Sequence, residues 1–246
     1  MEYGVHLPVS GPAATAEHLI RFAQRAEELG FFCVTVPDHI IIPKKISSTY
    51  PYTLDGRYAG AGHHLEQITV MGFLAGATRK LRLVASVMIA PYRHPVVAAK
   101  MLATLDFLSG GRIILGLGVG WMKEEFHLLG APPFEERGRV TDEYIRAFKE
   151  LWTAESPAFD GSYCNFSDLF FLPKPAQKPH IPIWIGGHSD RALRRAAKLG
   201  DGWHPIGAVP TAPLEPEELQ KSLSTLARYA RAAGRDPKEI RIAFKG

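Results

Sequence analysis

Residues 112–126 read "RIILGLGVGWMKEEF". An apolar run enters three glycines at alternate positions, Gly116, Gly118 and Gly120, then Trp121 and two glutamates. A dinucleotide fingerprint needs glycines at the first, third and sixth places of G-x-G-x-x-G, with a carboxylate about 20 residues on at a strand end. Trp121 stands at the sixth place, and the segment where that carboxylate belongs, TDEYIRAFKELW (141–152), has the period of a helix. The dinucleotide reading therefore fails. Alternate glycines leave one strand face bare, which suits close approach by a ligand or by another backbone. A tight turn before a helix is the plain alternative.

Outward from this stretch, strands and helices alternate. Apolar, β-branched runs at 3–8, 31–38, 81–91, 182–187, 202–207 and 241–246 join 112–120 as strands. Between them, segments 15–30, 65–78, 94–111, 137–152, 189–200 and 214–234 carry apolar residues at helical spacing, with Gly30 and Gly110-Gly111 as stops. Near-continuous apolar strands between amphipathic helices predict a parallel sheet with helical cover. An open doubly wound sheet and a closed (β/α)8 TIM-like barrel both satisfy that pattern, and about 250 residues is typical of the barrel. The strands number seven. The chain ends on one with no helix after it, so the expectation is a single barrel domain over 1–246 whose eighth strand and helix are missing from this chain. Two segments interrupt the alternation. Residues 40–64, rich in Tyr, Pro, Gly and Ser, should form a lid loop over the barrel mouth, and residues 157–180 a hairpin insertion turning at Asp160-Gly161.

Composition narrows the function classes. The chain has 246 residues, 46% hydrophobic and 22% charged, with a net charge of +4. No Lys/Arg run interleaved with aromatics points to nucleic acid, and no apolar stretch approaches the ~20 residues of a bilayer span. Two cysteines, Cys33 and Cys164, do not make a disulfide framework, and the N-terminus does not read as a signal peptide; a cytoplasmic location is expected. The ten histidines show no metal-ligand spacing, so no metal site is expected.

Candidate chemistry gathers at strand ends. Asp38-His39 could act as acid/base, since histidine titrates near neutrality and a neighbouring carboxylate can orient it; Asp38 as a loop cap beside a surface His39 is the alternative. Gly186-Gly187-His188 precedes a helix with Ser189 or Asp190 as its cap, so unpaired N–H groups there could hold a phosphate. An ordinary capped turn has the same sequence. Trp203-His204 closes the sixth strand.

Taken in order, VPDH (36–39), SVMIAPYRHP (86–95), LSGGRIILGLGVGWMKEEF (108–126), ELW (150–152), FLPKP (171–175) and PIWIGGHSDRALRRAAKLGDGWHP (182–205) resemble the luciferase-like flavin enzymes. Within them the similarity is greatest to the branch of coenzyme F420-dependent oxidoreductases. The resemblance implies a homodimeric barrel with a flavin or deazaflavin ring in its mouth and a non-proline cis peptide at Ser86-Val87. It implies cofactor contacts from Ser86, Val87, Gly118, Gly120, Trp121, Gly186, Gly187, His188 and Trp203, with Asp38 and His39 catalytic. Relatives that oxidise a sugar phosphate carry a carboxylate where this chain has Trp121, so an apolar or aromatic small molecule is the expected substrate. FMN-dependent monooxygenation and non-catalytic flavin binding are the rival readings. Lys44, Lys45 and Arg57 beside the mouth favour the deazaflavin, whose tail is anionic.

Overall fold

The computed structural model describes residues 1–60, 63–211 and 213–246. Seven strands form one sheet: β1 (Gly4–His6), β2 (Cys33–Val36), β3 (Arg82–Ile89), β4 (Ile113–Gly118), β7 (Ile183–Gly186), β8 (Gly202–His204) and β9 (Arg241–Ile242). Every neighbouring pair is parallel, and the spatial order is the chain order. That order decides between the two architectures. A doubly wound sheet reverses direction at a switch point and puts helices on both faces, whereas right-handed crossovers in one unreversed direction put every helix on the same side. The helices α1 (Ala16–Glu28), α2 (Gln67–Ala77), α3 (Pro95–Ser109), α5 (Arg137–Thr153), α6 (Asp190–Leu199) and α7 (Pro216–Ala232) all contribute to a single apolar layer against the sheet. The opposite face holds a separate small cluster of Cys33, Val84, Ile114 and Trp184. An ion pair from Arg241 of β9 to Glu2 beside β1 links the two ends of the sheet, so the sheet curls in the manner of a (β/α)8 barrel. Among the described residues β1 and β9 do not pair with each other.

Local chemistry accounts for the element ends. Thr15 and Ser189 cap α1 and α6 by accepting backbone N–H groups three residues on, and Glu215 with Glu218 closes a capping box on α7. Pro95 opens α3, and Gly110, at φ +70°, ends it. α5 shows how the outer layer is built. Val140, Tyr144, Ile145, Phe148, Leu151 and Trp152 are buried along it, each worth roughly 1.5–3 kcal/mol for its transfer from water.

The expected hairpin is present as β5 (Phe159–Asp160) paired antiparallel with β6 (Asn165–Phe166). Glu143 of α5 fastens its turn by accepting N–H bonds from Ser162, Tyr163 and Cys164 at 2.7–2.9 Å. Cys33 and Cys164 are free and buried. Among the described residues no helix is long and apolar enough to cross a membrane. A short helix, α4 (Lys123–Leu128), follows directly after Trp121, so the glycines also lead into the turn before a helix that was their alternative reading. The two glutamates of α4 organise the mouth.

Candidate active site

The pairing of β3 with β4 slips by one residue. Ala85 faces Leu115 and Met88 faces Leu117, leaving three steps on one strand against two on the other. Such a bulge breaks the alternation of side chains, so Ser86 and Val87 both turn into the curl of the sheet. The Ser86-Val87 peptide is cis, as the resemblance implied. Ser86 Oγ donates to His204 Nε2 at 3.0 Å, while His204 Nδ1–H donates to the Ala243 carbonyl. Burial, reinforced by the charge of Lys245, lowers the pKa of His204 despite that carbonyl bond, so the ring is held neutral.

Val87 fills the hollow that the glycines leave. A Cβ on Gly118 would lie 2.5 Å from Val87 Cγ2, and one on Gly186 2.9 Å from Val87 Cγ1. A Cβ on Gly116 would lie 2.1 Å from the Ala85 carbonyl oxygen. Gly120, at φ +86°, turns the chain so closely past Phe126 that a Cβ would approach within 2.6 Å. The bare face of β4 thus admits another strand's backbone and side chain, not an open ring space. What Gly118 and Gly120 present to the mouth is the seating of Val87 and of α4.

Asp38 and His39, adjacent in sequence, part company. Asp38, 5% exposed, accepts a bidentate pair from Arg93 at 2.8 Å each and the Ile89 N–H at 2.9 Å. Arg93 also reaches Glu66 at 2.6 Å. Both oxygens of Asp38 are engaged in bracing the end of β3 and Arg93 behind it, and neither is hydrogen-bonded to His39, so the two residues expected to act together are not paired. The carboxylate that His39 meets is Glu125 of α4, at 2.8 Å from Nδ1. Burial opposes the charge on Glu125, but bonds from His39, Ile40 and Ile41 outweigh it and hold the carboxyl below the usual range. The rest of the His39 ring faces aromatic groups: Tyr58 at 5.1 Å, His64 at 5.4 Å and Trp121 at 6.3 Å between centroids.

Tyr58 and His64 come from the 40–64 loop, the expected lid, and Trp121 from just after the end of β4. Of the lid's expected span, residues 61 and 62 lie outside the described residues. Tyr50 packs on Trp121 at 4.9 Å and on Tyr58 at 5.1 Å, and Tyr58 on Trp121 at 5.5 Å. Glu124 clasps the lid by accepting the Ser47 and Ser48 N–H groups at 2.7 and 3.0 Å and the Ser48 hydroxyl at 2.7 Å. Lys44 and Arg57, with Ser47 and Ser48, line a cavity of about 470 Å³ within the lid. Lys45 does not line it.

At the end of β7, Gly187 has φ +87° and Ser189 caps α6. His188 Nδ1 is buried there without a partner, as is Nε of Arg137 at the first position of α5. Burial lowers the Arg137 pKa, and the charge of Arg191, in the first turn of α6, lowers it further against the opposing pull of Glu135. An unpaired buried imidazole nitrogen, an unpaired buried guanidinium N–H, the nearby charge of Arg191 and a helix N-terminus fit a phosphate. Arg137 was not singled out from the sequence, because its setting depends on the packing of α5 beside α6. Trp203 lies elsewhere than expected. It is 0% exposed in the layer beneath the helices, and its indole N–H donates to the Gly187 carbonyl at 2.7 Å. It braces the loop after β7 from behind; on β8 it is His204 that enters the curl.

Residues 1–246 match the luciferase-like monooxygenase family, and the chain belongs to that family. An uncharacterized protein of Mycobacterium tuberculosis is 34% identical over 226 residues, covering 91% of this chain and 75% of the relative. The F420-dependent glucose-6-phosphate dehydrogenase of Microbacterium testaceum is 31% identical over 225 residues, 90% of this chain and 61% of its own length. Among solved structures, a monooxygenase from Streptomyces bottropensis superposes with a TM-score of 0.78 at 27% identity, over 99% of this chain and 70% of its own. The relatives thus include both deazaflavin-dependent and oxygen-using oxidoreductases.

Proposed function

We propose that this chain is a coenzyme F420-dependent oxidoreductase acting on a small apolar or aromatic substrate. The observation that carries the reading is His39, whose ring borders an aromatic wall of Tyr58 and Trp121 at the mouth of the curled sheet. When bound, the deazaflavin supplies the hydride. His39 moves the proton that accompanies it, a role for which imidazole suits neutral pH. The loop 186–188, with His188 and Arg137, holds the phosphate, and Lys44 and Arg57 offer an anionic tail its counter-charge. Tyr50, Tyr58 and Trp121 exclude water and favour a flat, weakly polar substrate. Exposed Phe73 of α2 and Val97, Met101 and Leu108 along one face of α3 suit the proposed homodimer.

The test is a titration of the purified protein with F420 and with FMN, followed by hydride-transfer assays. His39→Ala is expected to lower kcat by about 10²–10⁴-fold with F420 affinity kept. Full activity in that variant removes the assignment. The Streptomyces relative supports a second reading, an FMN-dependent monooxygenase, and tight FMN binding without F420 binding would establish it. Tight binding without turnover on a broad substrate panel would leave a flavin carrier.

A further inference from the structure

We propose that Glu125 is the positioning residue for His39, fixing its tautomer so that Nε2 is the atom that meets the substrate. Glu125 is 0% exposed, and its two oxygens are divided between two tasks. Oε1 accepts the N–H groups of Ile40 and Ile41 at 2.8 and 3.1 Å. Amide N–H groups do not titrate, so this oxygen is permanently an acceptor and the carboxylate cannot rotate away. Oε2 is thereby aimed at His39 Nδ1, 2.8 Å distant. An ionised carboxylate only accepts, so Nδ1 must carry the hydrogen and Nε2 is left free to take or give a proton. Tyr92 lies on the buried side of the same carboxylate, and burial together with the Glu125 charge keeps its phenol neutral. Among the described residues no other acid is hydrogen-bonded to His39, and both oxygens of Asp38 are bound to Arg93 and Ile89.

The kinetic part of this proposal rests on the hydride-transfer reading, whereas the tautomer does not, and the experiment separates the two. Two-bond ¹H–¹⁵N correlation spectra of the ligand-free protein report which imidazole nitrogen bears the hydrogen, with His39→Gln assigning the signal. The wild type should show His39 protonated on Nδ1. Glu125→Gln keeps an oxygen for the two amides and turns its NH₂ toward the ring, so His39 should switch to the Nε2-protonated form. Glu125→Asp should restore Nδ1 protonation in part, and it serves as the variant of record if the glutamine protein does not fold. With F420, kcat in Glu125→Gln should fall at least about 100-fold, as expected for an imidazole held in the wrong tautomer, while the F420 dissociation constant stays within about threefold. An unchanged tautomer in Glu125→Gln overturns the proposal, and so does a switched tautomer with full kcat. A switched tautomer in a protein whose wild type transfers no hydride overturns the F420 reading and leaves the positioning in place.

Discussion

The frame under the mouth and the lid over it are both held by buried or half-buried carboxylates, but in opposite ways. In the frame, Asp38 and Glu66 grip one guanidinium, Arg93, and the contact is charge to charge. In the lid, Glu124 and Glu125 grip backbone N–H groups of residues 40, 41, 47 and 48, with serine hydroxyls and an imidazole added. Removing one partner of a buried ion pair strands the other, which is costly. Releasing an amide at the surface returns it to water, which costs little. The frame and the buried Glu125 hold on residues 40 and 41 are therefore built to stay, and the outer Glu124 clasp on residues 47 and 48 to be let go.

The largest expected effect breaks the frame. Asp38→Ala should lose about 3 kcal/mol of stability, at the low end for a broken buried pair because Glu66 still faces Arg93, and urea unfolding would show it as a lower midpoint. A loss below about 1 kcal/mol would mean that the frame is as dispensable as the lid. Next comes the seat of Val87. Gly118→Ala should cost roughly 1–3 kcal/mol by overpacking. The double variant Gly118→Ala/Val87→Ala should lose less than the sum of the singles, because the clash partner is gone. Additive losses would place the strain somewhere other than at Val87. The smallest effect on stability belongs to the lid clasp. Glu124→Gln should cost less than about 1 kcal/mol of stability in urea unfolding yet speed proteolytic cleavage within 41–60 several-fold.

Acid should mimic that substitution. Burial raises the Glu124 pKa, but the bonds from Ser47 and Ser48 together outweigh it and hold the value at about 2, against an ordinary 4.5. A depressed carboxylate contributes fully above its unfolded pKa and loses that contribution as pH falls through the folded one. Lid cleavage should therefore accelerate between about pH 4.5 and 2 in the wild type, and Glu124→Gln should flatten that rise.

Much of the frame was legible in the sequence. The seven strands and six helices over 137–152 and its counterparts carry clear periods, and the caps and stops fall within two or three residues of the expected ends. The site was legible by position more than by role. His39 was evident as a candidate, but its partner lies 86 residues away on α4, a six-residue helix too short to show a period. The sequence offered only the neighbour, Asp38, and neighbouring side chains at a strand end point in different directions. The bare face of β4 was equally plain. What fills it was not, because a one-residue slip in β3 aims Val87 there, and register slips leave no mark in local pattern. Trp203 followed the same logic: strand alternation hides it under the helices while its neighbour faces inward.

The two cysteines bear on how the lid can be watched. Burial pushes the Cys33 thiol up to about 11, and Cys164 is raised by burial and by the charge of Glu143. Thiolates do the reacting, so both native sulfurs should be silent toward maleimides while the fold holds. A single Leu54→Cys, at a position 82% exposed on the lid, would then be the one reactive handle on the molecule. Dye attached there turns lid opening from a cleavage rate into a fluorescence signal, read without disturbing either glutamate.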